Sequence, residues 1–131
     1  MARGYVLFVP HRRGQGRSPG HYIVDLLNRE AAEARSRKLA ELMEEHLQDQ
    51  IAALNYLKSL SYVDKQRVAV AGCSFGGIQA MLAAGEQVGL RAAVDFAGAA
   101  MVWSTFPEMR ERDARRCAPG DRASSADSGR E

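Results

Sequence analysis

A serine within a glycine-rich hexapeptide is the feature of this sequence best suited to chemistry. Residues 72–77 read Gly-Cys-Ser-Phe-Gly-Gly, so Ser74 is the serine of a G-x-S-x-G pattern. The hexapeptide follows the apolar run at residues 67–71 and precedes small and apolar residues at 78–84 that predict a helix. A strand, a sharp turn and a helix in that order would raise the serine hydroxyl above the end of a sheet.

The predicted turn requires glycine at particular positions and places Ser74 near backbone N–H groups. We expect Gly72 and Gly76 to be required because a side chain at either position would collide across so tight a turn. Ser74 would lie at the start of a helix, where free backbone N–H groups and the positive end of the helix dipole favour a developing negative charge.

A nucleophilic serine needs a histidine base and an acid, and the sequence does not supply them in an obvious place. The three histidines, His11, His21 and His46, all precede Ser74. His11 and His21 are candidates for an improvised base or a substrate contact, although solvated loop histidines are the plainer interpretation. The charged neighbours of His46 predict a surface residue. Asp95 is a candidate acid, or an aspartate that makes local hydrogen bonds at the end of a strand.

Composition narrows the classes of partner and cofactor. The 131 residues suffice for one domain, and a net charge of +2 gives no electrostatic reason to expect nucleic acid or a membrane as partner. Cys73 and Cys117 have no metal or redox spacing, so we expect no metal and a reduced, cytoplasmic setting. Gly20 falls one place too late after Gly14 and Gly16 for a dinucleotide-binding loop, so we expect no organic cofactor either. No apolar run approaches the roughly 18 residues of a membrane span.

The elements that must position Ser74 follow an α/β pattern. The unbroken apolar run at residues 5–9 predicts a strand buried on both faces. Apolar residues recur every three or four positions from about residue 28 to 60, which predicts a long helix with a break near residues 34–36. Residues 68–71 and 90–96 predict two further strands. Strands that alternate with helices predict a parallel sheet with right-handed crossovers.

The end of the chain has a different composition. Residues 110–131 are rich in arginine, alanine, serine and aspartate, and contain no aliphatic or aromatic side chain larger than alanine apart from Pro119. Such a segment buries too little apolar surface to offset its ordering entropy. We therefore predict a domain over residues 1–109 and a disordered tail over residues 110–131.

Four segments in order resemble the α/β-hydrolase superfamily. Residues 72–77 resemble its nucleophile elbow, and residues 4–10 followed by Arg-Gly-Gln-Gly-Arg-Ser at 13–18 resemble the strand and loop upstream of it. Residues 49–57 resemble the intervening helix and residues 62–68 the approach to the elbow strand. Together they are most similar to the dienelactone hydrolase and prolyl oligopeptidase-like branches, over about residues 4–107.

The resemblance implies a serine hydrolase of ester or amide bonds that uses no cofactor and acts on a small-molecule ester or peptide-like substrate. Carried over to this sequence, Ser74 would be the nucleophile and the backbone N–H of Phe75 would help to form the oxyanion hole. The family places the acid and then the histidine base after the elbow; no histidine follows Ser74 here, and neither the base nor the acid is assigned. The resemblance therefore implies a partial α/β-hydrolase fold of about three parallel strands with flanking helices, truncated at both ends. The alternative is a catalytically incomplete module that self-associates through exposed sheet edges.

Overall fold

The computed structural model of the chain describes residues 4–98 and, beyond them, only residues 107 and 111. After the long helix its strands and helices alternate as predicted, and the fold is a partial α/β fold. The helices are α1 (Ile23–Asn28), a short 3-10 helix (Ala32–Ala34), α2 (Arg35–Ser59) and α3 (Phe75–Gly85), and the strands are β1 (Ala69–Cys73) and β2 (Ala92–Phe96). The predicted break in the long helical segment is present, because the 3-10 helix separates α1 from α2.

The sheet is parallel and its register is regular. Ala69 pairs with Ala92 at one end and Cys73 pairs with Phe96 at the other. Parallel neighbours need a crossover connection between them, and α3 supplies it. The carboxyl ends of both strands therefore lie at the same edge of the sheet. At this edge β1 ends and α3 begins.

The predicted strand at residues 5–9 is wrong. These residues have no strand structure, and their large side chains, Tyr5 to Val9, are between 39% and 76% exposed. The sheet over the described residues has two strands rather than three. An apolar run becomes a strand only where a neighbour satisfies its backbone N–H and C=O groups, and the described residues offer this run none. The aromatic ring of Phe8, within this segment, contacts the ring of Tyr56 on α2, and the two ring centroids are 6.0 Å apart.

The core is built by helices. It lies between α1, α2 and α3, and the stripe predicted on α2 provides its centre through Leu39, Met43 and Leu47. The largest fully buried side chains are Ile23, Leu39, Met43, Leu47, Ile78 and Leu82. Burial of such side chains, at about 1.5–3 kcal/mol each, is the main force that holds the three helices together.

Helix α3 covers one face of the sheet and leaves the other exposed. Exposure alternates along both strands, so Cys73 of β1 and Phe96 of β2 face away from the helices. Phe96 is 59% exposed as a result. Within the described residues, no helix combines the length and apolar character needed to cross a membrane.

Candidate active site

Ser74 lies at a sharp junction between β1 and α3. Its backbone has φ 53° and ψ −122°, a conformation that non-glycine residues rarely adopt. The Ser74 N–H donates to the carbonyl of Phe96 over 2.9 Å, and the Ser74 carbonyl accepts from Gly77 over 2.9 Å and from Ile78 over 3.1 Å. These three bonds attach the strained residue to the end of β2 and to the first turn of α3. Such strain persists only where the surroundings enforce it, and it concentrates at functional sites.

The glycines around Ser74 permit this junction, but not quite as predicted. A Cβ at Gly72 would overlap the Gly76 carbonyl, as expected, whereas a Cβ at Gly76 would meet nothing within 4 Å. The expectation of a collision at Gly76 is therefore wrong. The second crowded position is Gly77, where a Cβ would overlap the Asp95 carboxylate and lie 3.1 Å from Cα of Gly98. The tight approach is thus between the first turn of α3 and the end of β2.

The first turn of α3 presents backbone donors beside Ser74. The backbone bonds of the elbow are donated by Ser74, Gly77 and Ile78. The N–H of Phe75 has no backbone acceptor among the described residues, as is usual for the first residue of a helix. Ser74 is half-buried, and the neighbouring Cys73 is an exposed free thiol.

Two of the candidate bases, His11 and His21, lie in the loop before α1. His11 is exposed, and its Nδ1 accepts a hydrogen bond of 3.1 Å from the backbone N–H of Arg17. His21 is also exposed, and its carbonyl lies beside Gly14. Although all three histidines are among the described residues, none of them hydrogen-bonds to Ser74.

The prediction that His46 is a surface residue is wrong. It is only 4% exposed, and both ring nitrogens lack a hydrogen-bond partner within the part of the chain that the structure describes. Burial lowers the pKa of His46, and the positive charges of Arg12 and Arg13 lower it further, against the smaller opposite effects of Asp49 and Glu45. The signal was present in the sequence, because His46 follows Met43 by three positions and so shares the buried face of α2.

Asp95 lies at the end of β2, close to the elbow. It pairs with Gly72 in the sheet register, and its Oδ1 accepts a hydrogen bond of 2.8 Å from the N–H of Gly98. This bond agrees with the plainer of the two sequence interpretations, a local hydrogen-bonding role. Over residues 4–98, 107 and 111 there is no group of three or more His, Cys, Asp or Glu side chains that could hold a metal ion.

Two loop arginines near the elbow were missed by the sequence analysis. Arg13 forms a fork with α2, with Nε and Nη2 donating to the Asp49 carboxylate over 2.6 and 2.7 Å and Nη1 donating to Glu45 over 2.7 Å. The hydrogen bond and charge of Arg13 lower the pKa of Asp49, and the Asp49 hydrogen bond raises the pKa of Arg13. The Cζ of Arg12 lies 5.3 Å from the centroid of the Phe75 ring. The four-residue spacing of Glu45 and Asp49 on one helix face was the available signal.

An apolar cavity of about 90 Å³ lies away from Ser74. It is bordered by Phe8 and Pro10 on one side and by Val68 and Val70 of the sheet region on another, with α2 side chains such as Leu54 between them. The cavity thus separates Phe8 and Pro10 from the sheet.

Comparison with known proteins points to one family. A model of the dienelactone hydrolase family matches residues 1–119. Neither a search of curated proteins nor a search of solved structures finds a match.

Proposed function

This chain belongs to the dienelactone hydrolase family, within the α/β-hydrolase superfamily, and from that premise we propose that it is a serine hydrolase whose nucleophile is Ser74. Its substrate would be a small-molecule ester or a peptide-like amide. The family supports hydrolysis as the reaction, and the elbow supports serine as the attacking residue.

The backbone of Ser74 is the observation that carries this proposal. A serine held at φ 53° between a parallel strand and a helix N-terminus has the backbone arrangement of a nucleophile elbow. Three backbone hydrogen bonds, one to the Phe96 carbonyl and two from the Gly77 and Ile78 N–H groups, hold this backbone conformation.

The chemistry proceeds through an acyl-enzyme. Ser74 Oγ forms a bond to the carbonyl carbon while its proton passes to a base, and the carbonyl oxygen becomes an oxyanion. The Phe75 N–H would donate to that oxyanion, and the positive end of the α3 dipole would add to the stabilisation. The tetrahedral species then expels the alcohol or amine with a proton, and water hydrolyses the ester formed on Ser74.

The base and the acid of this reaction are not assigned. His11 and His21 are exposed loop residues, and His46 is enclosed in the helical core. The exposed free thiol of Cys73, beside the nucleophile, supports the expectation of a reducing cytoplasmic compartment. We propose no cofactor for this reaction.

Labelling with a fluorophosphonate probe tests the nucleophile. The purified chain should be labelled at Ser74, and the Ser74→Ala variant should lose the label. Ser61→Ala, at an exposed position in the turn after α2, is the matched control and should keep it. Cys73→Ala should also keep it, which excludes the neighbouring thiol as the reacting group. Equal labelling of the chain and its Ser74→Ala variant would contradict the proposal.

A second candidate function is association without catalysis. The two described strands each have one neighbour only, so each leaves an unpaired edge. Large apolar side chains at Tyr5, Leu7 and Val9 are 72–76% exposed beside the cavity. We therefore propose, as the alternative, that two copies pair through the sheet edges and cover these side chains.

Sedimentation velocity over a concentration series tests the alternative. The chain should sediment as a dimer at high concentration, and Leu7→Lys should shift it toward monomer. Tyr62→Lys is the matched control because Tyr62 is also largely exposed but lies in the turn before β1. A monomer at all concentrations would contradict association.

A further inference from the structure

The ring of Phe75 is held between an arginine and the helical core. Cζ of Arg12 lies 5.3 Å from the ring centroid, inside the limit of about 6 Å for a cation–π contact. The same ring packs against the buried cluster formed by α1, α2 and α3. Phe75 is the first residue of α3 and directly follows Ser74.

Polar bonding does not account for the position of Arg12. Its Nη1 is fully buried and has no hydrogen-bond partner within residues 4–98. A buried donor without an acceptor is unfavourable, so the guanidinium is held there by something other than that hydrogen bond. The face of the Phe75 ring is the contact that offers a compensating attraction.

The loop that carries Arg12 is fixed one residue further along. Arg13 donates to both Asp49 carboxylate oxygens and to Glu45, which attaches this point of the loop to α2. Because Arg12 is covalently next to this anchor, its backbone has little freedom to move away from the elbow. Arg13 therefore contacts α2, and its neighbour Arg12 contacts the Phe75 ring.

We propose that Arg12 is a positioning residue that holds the first residue of α3, and with it the Phe75 N–H, in place against the helical core. The Phe75 N–H shares a planar peptide with the Ser74 carbonyl, which accepts from Gly77 and Ile78, so the N–H is fixed relative to the first turn of α3. The contact of Arg12 with the Phe75 ring then fixes where that turn lies. The inference rests on the proposed function, because the direction of this N–H matters to catalysis only if Ser74 attacks a carbonyl. An oxyanion donor contributes fully only when it is aimed at the developing charge.

Three variants separate the role of Arg12 from general effects on the loop. Arg12→Met keeps an unbranched side chain but removes the charge, and Arg12→Lys keeps a cation that can lie over the ring. Arg17→Met is the matched control, since Arg17 is an exposed arginine of the same loop whose hydrogen bond to His11 is donated by its backbone N–H. The readouts are the rate of labelling by the fluorophosphonate probe, the exchange rate of the Phe75 amide hydrogen by NMR, and the thermal unfolding midpoint. Amide exchange is measured in the Ser74→Ala background, where it is independent of reactivity.

Arg12→Met should slow labelling about 10-fold, a part of what complete loss of an oxyanion donor costs. It should also speed exchange at the Phe75 amide, while the unfolding midpoint stays near that of Arg17→Met. Arg12→Lys should restore most of the labelling rate and most of the protection of the Phe75 amide. If Arg12 acted through stability alone, the two rates would change only together with the unfolding midpoint.

The two proposals fail in different ways. If wild type is labelled but Arg12→Met changes neither the labelling rate nor the Phe75 exchange rate, the inference about Arg12 is overturned and the serine hydrolase proposal stands. If Arg12→Met speeds Phe75 exchange but wild type is not labelled at Ser74, the positioning contact is supported and the proposed function is overturned. If Arg12→Lys behaves as Arg12→Met does, the cation is not the positioning group and the inference is overturned.

Discussion

Two glycines of the elbow have opposite surroundings, and this difference is measurable. Gly72→Ala would place a Cβ against the Gly76 carbonyl, whereas Gly76→Ala would meet open space. We expect Gly72→Ala to lower the free energy of unfolding by about 1–3 kcal/mol, the usual cost of overpacking. Gly76→Ala should be neutral or raise it by up to about 1 kcal/mol, because alanine has the better helix propensity. Urea denaturation of the two variants measures both values, and equal losses would contradict the described elbow.

His46 should make the stability depend on pH. Its pKa in the folded chain lies below the ordinary value of 6.5, so between those two values the unfolded chain binds more protons than the folded one. The free energy of unfolding should therefore rise with pH across that window and level off above about 6.5. The favourable contribution is present above pH 6.5 and is lost as the pH falls through the folded-state pKa of His46. Urea midpoints measured from pH 5 to 7.5 follow this change.

A substitution at His46 identifies the residue responsible. His46→Leu has a similar volume and no nitrogen to desolvate, so it should flatten the pH dependence and be at least as stable at pH 7. His21→Leu, at an exposed loop position, is the control and should keep the slope. A slope that persists in His46→Leu would assign the titration to another group.

The elbow could be located from the sequence, but its contacts could not. The sequence predicts a strand, then the Gly-x-Ser-x-Gly turn, then a helix of small residues, and this order places Ser74 at the turn. The structure has β1, the turn and α3 in that order. The crowding at Gly77 depends instead on Asp95 at the end of β2 and on Gly98 just after it. Such contacts between distant segments have no local signature in the sequence.

The segment at residues 5–9 shows a similar limit at the level of elements. Its composition predicts a buried strand. A hydrophobic run of this length indicates that the segment favours burial, but it does not indicate that a neighbouring strand is present to pair with it. In the structure the run has no strand partner among the described residues, and the apolar cavity lies between Phe8 and Val70 of β1. The strands β1 and β2 were predicted correctly. They are joined by the short helix α3, which returns the chain to a place directly beside β1, so each strand has the other as its partner.

The attachment of the loop to α2 through Arg13 should contribute modestly to stability. The side chains of Arg13 and Asp49 are 35% and 47% exposed, so solvent screens the pair and we expect a coupling of at most about 1 kcal/mol. A double-mutant cycle with Arg13→Met and Asp49→Asn measures it, and the coupling should shrink as salt is added. The matched control is the cycle on Lys38 and Glu41, a single contact of 3.5 Å along α2, which should give a value near zero. A larger coupling in the control pair would contradict the importance of the fork.

The molecule as a whole combines a well-packed helical side with an open sheet side. Side chains such as Met43 and Leu47 are completely buried, whereas Phe96 and Leu7 on other surfaces are mostly exposed. Stability should therefore depend on the contact of α2 with α1 and α3 more than on the sheet. The same asymmetry leaves the apolar surface on which the association alternative depends.

The predicted boundary at residue 109 leads to a final test on the whole molecule. Residues 110–131 and their role lie almost entirely outside the described residues, and the prediction that they are disordered rests on composition alone. The family match nevertheless continues to residue 119, so two truncations are informative, one after residue 109 and one after residue 119. If residues 110–131 bury no apolar surface, both shortened chains should unfold at the temperature of the full chain and should be labelled at Ser74 at the same rate. A lower midpoint for the first truncation but not for the second would place residues 110–119 within the folded domain and would move its boundary to the end of the family match.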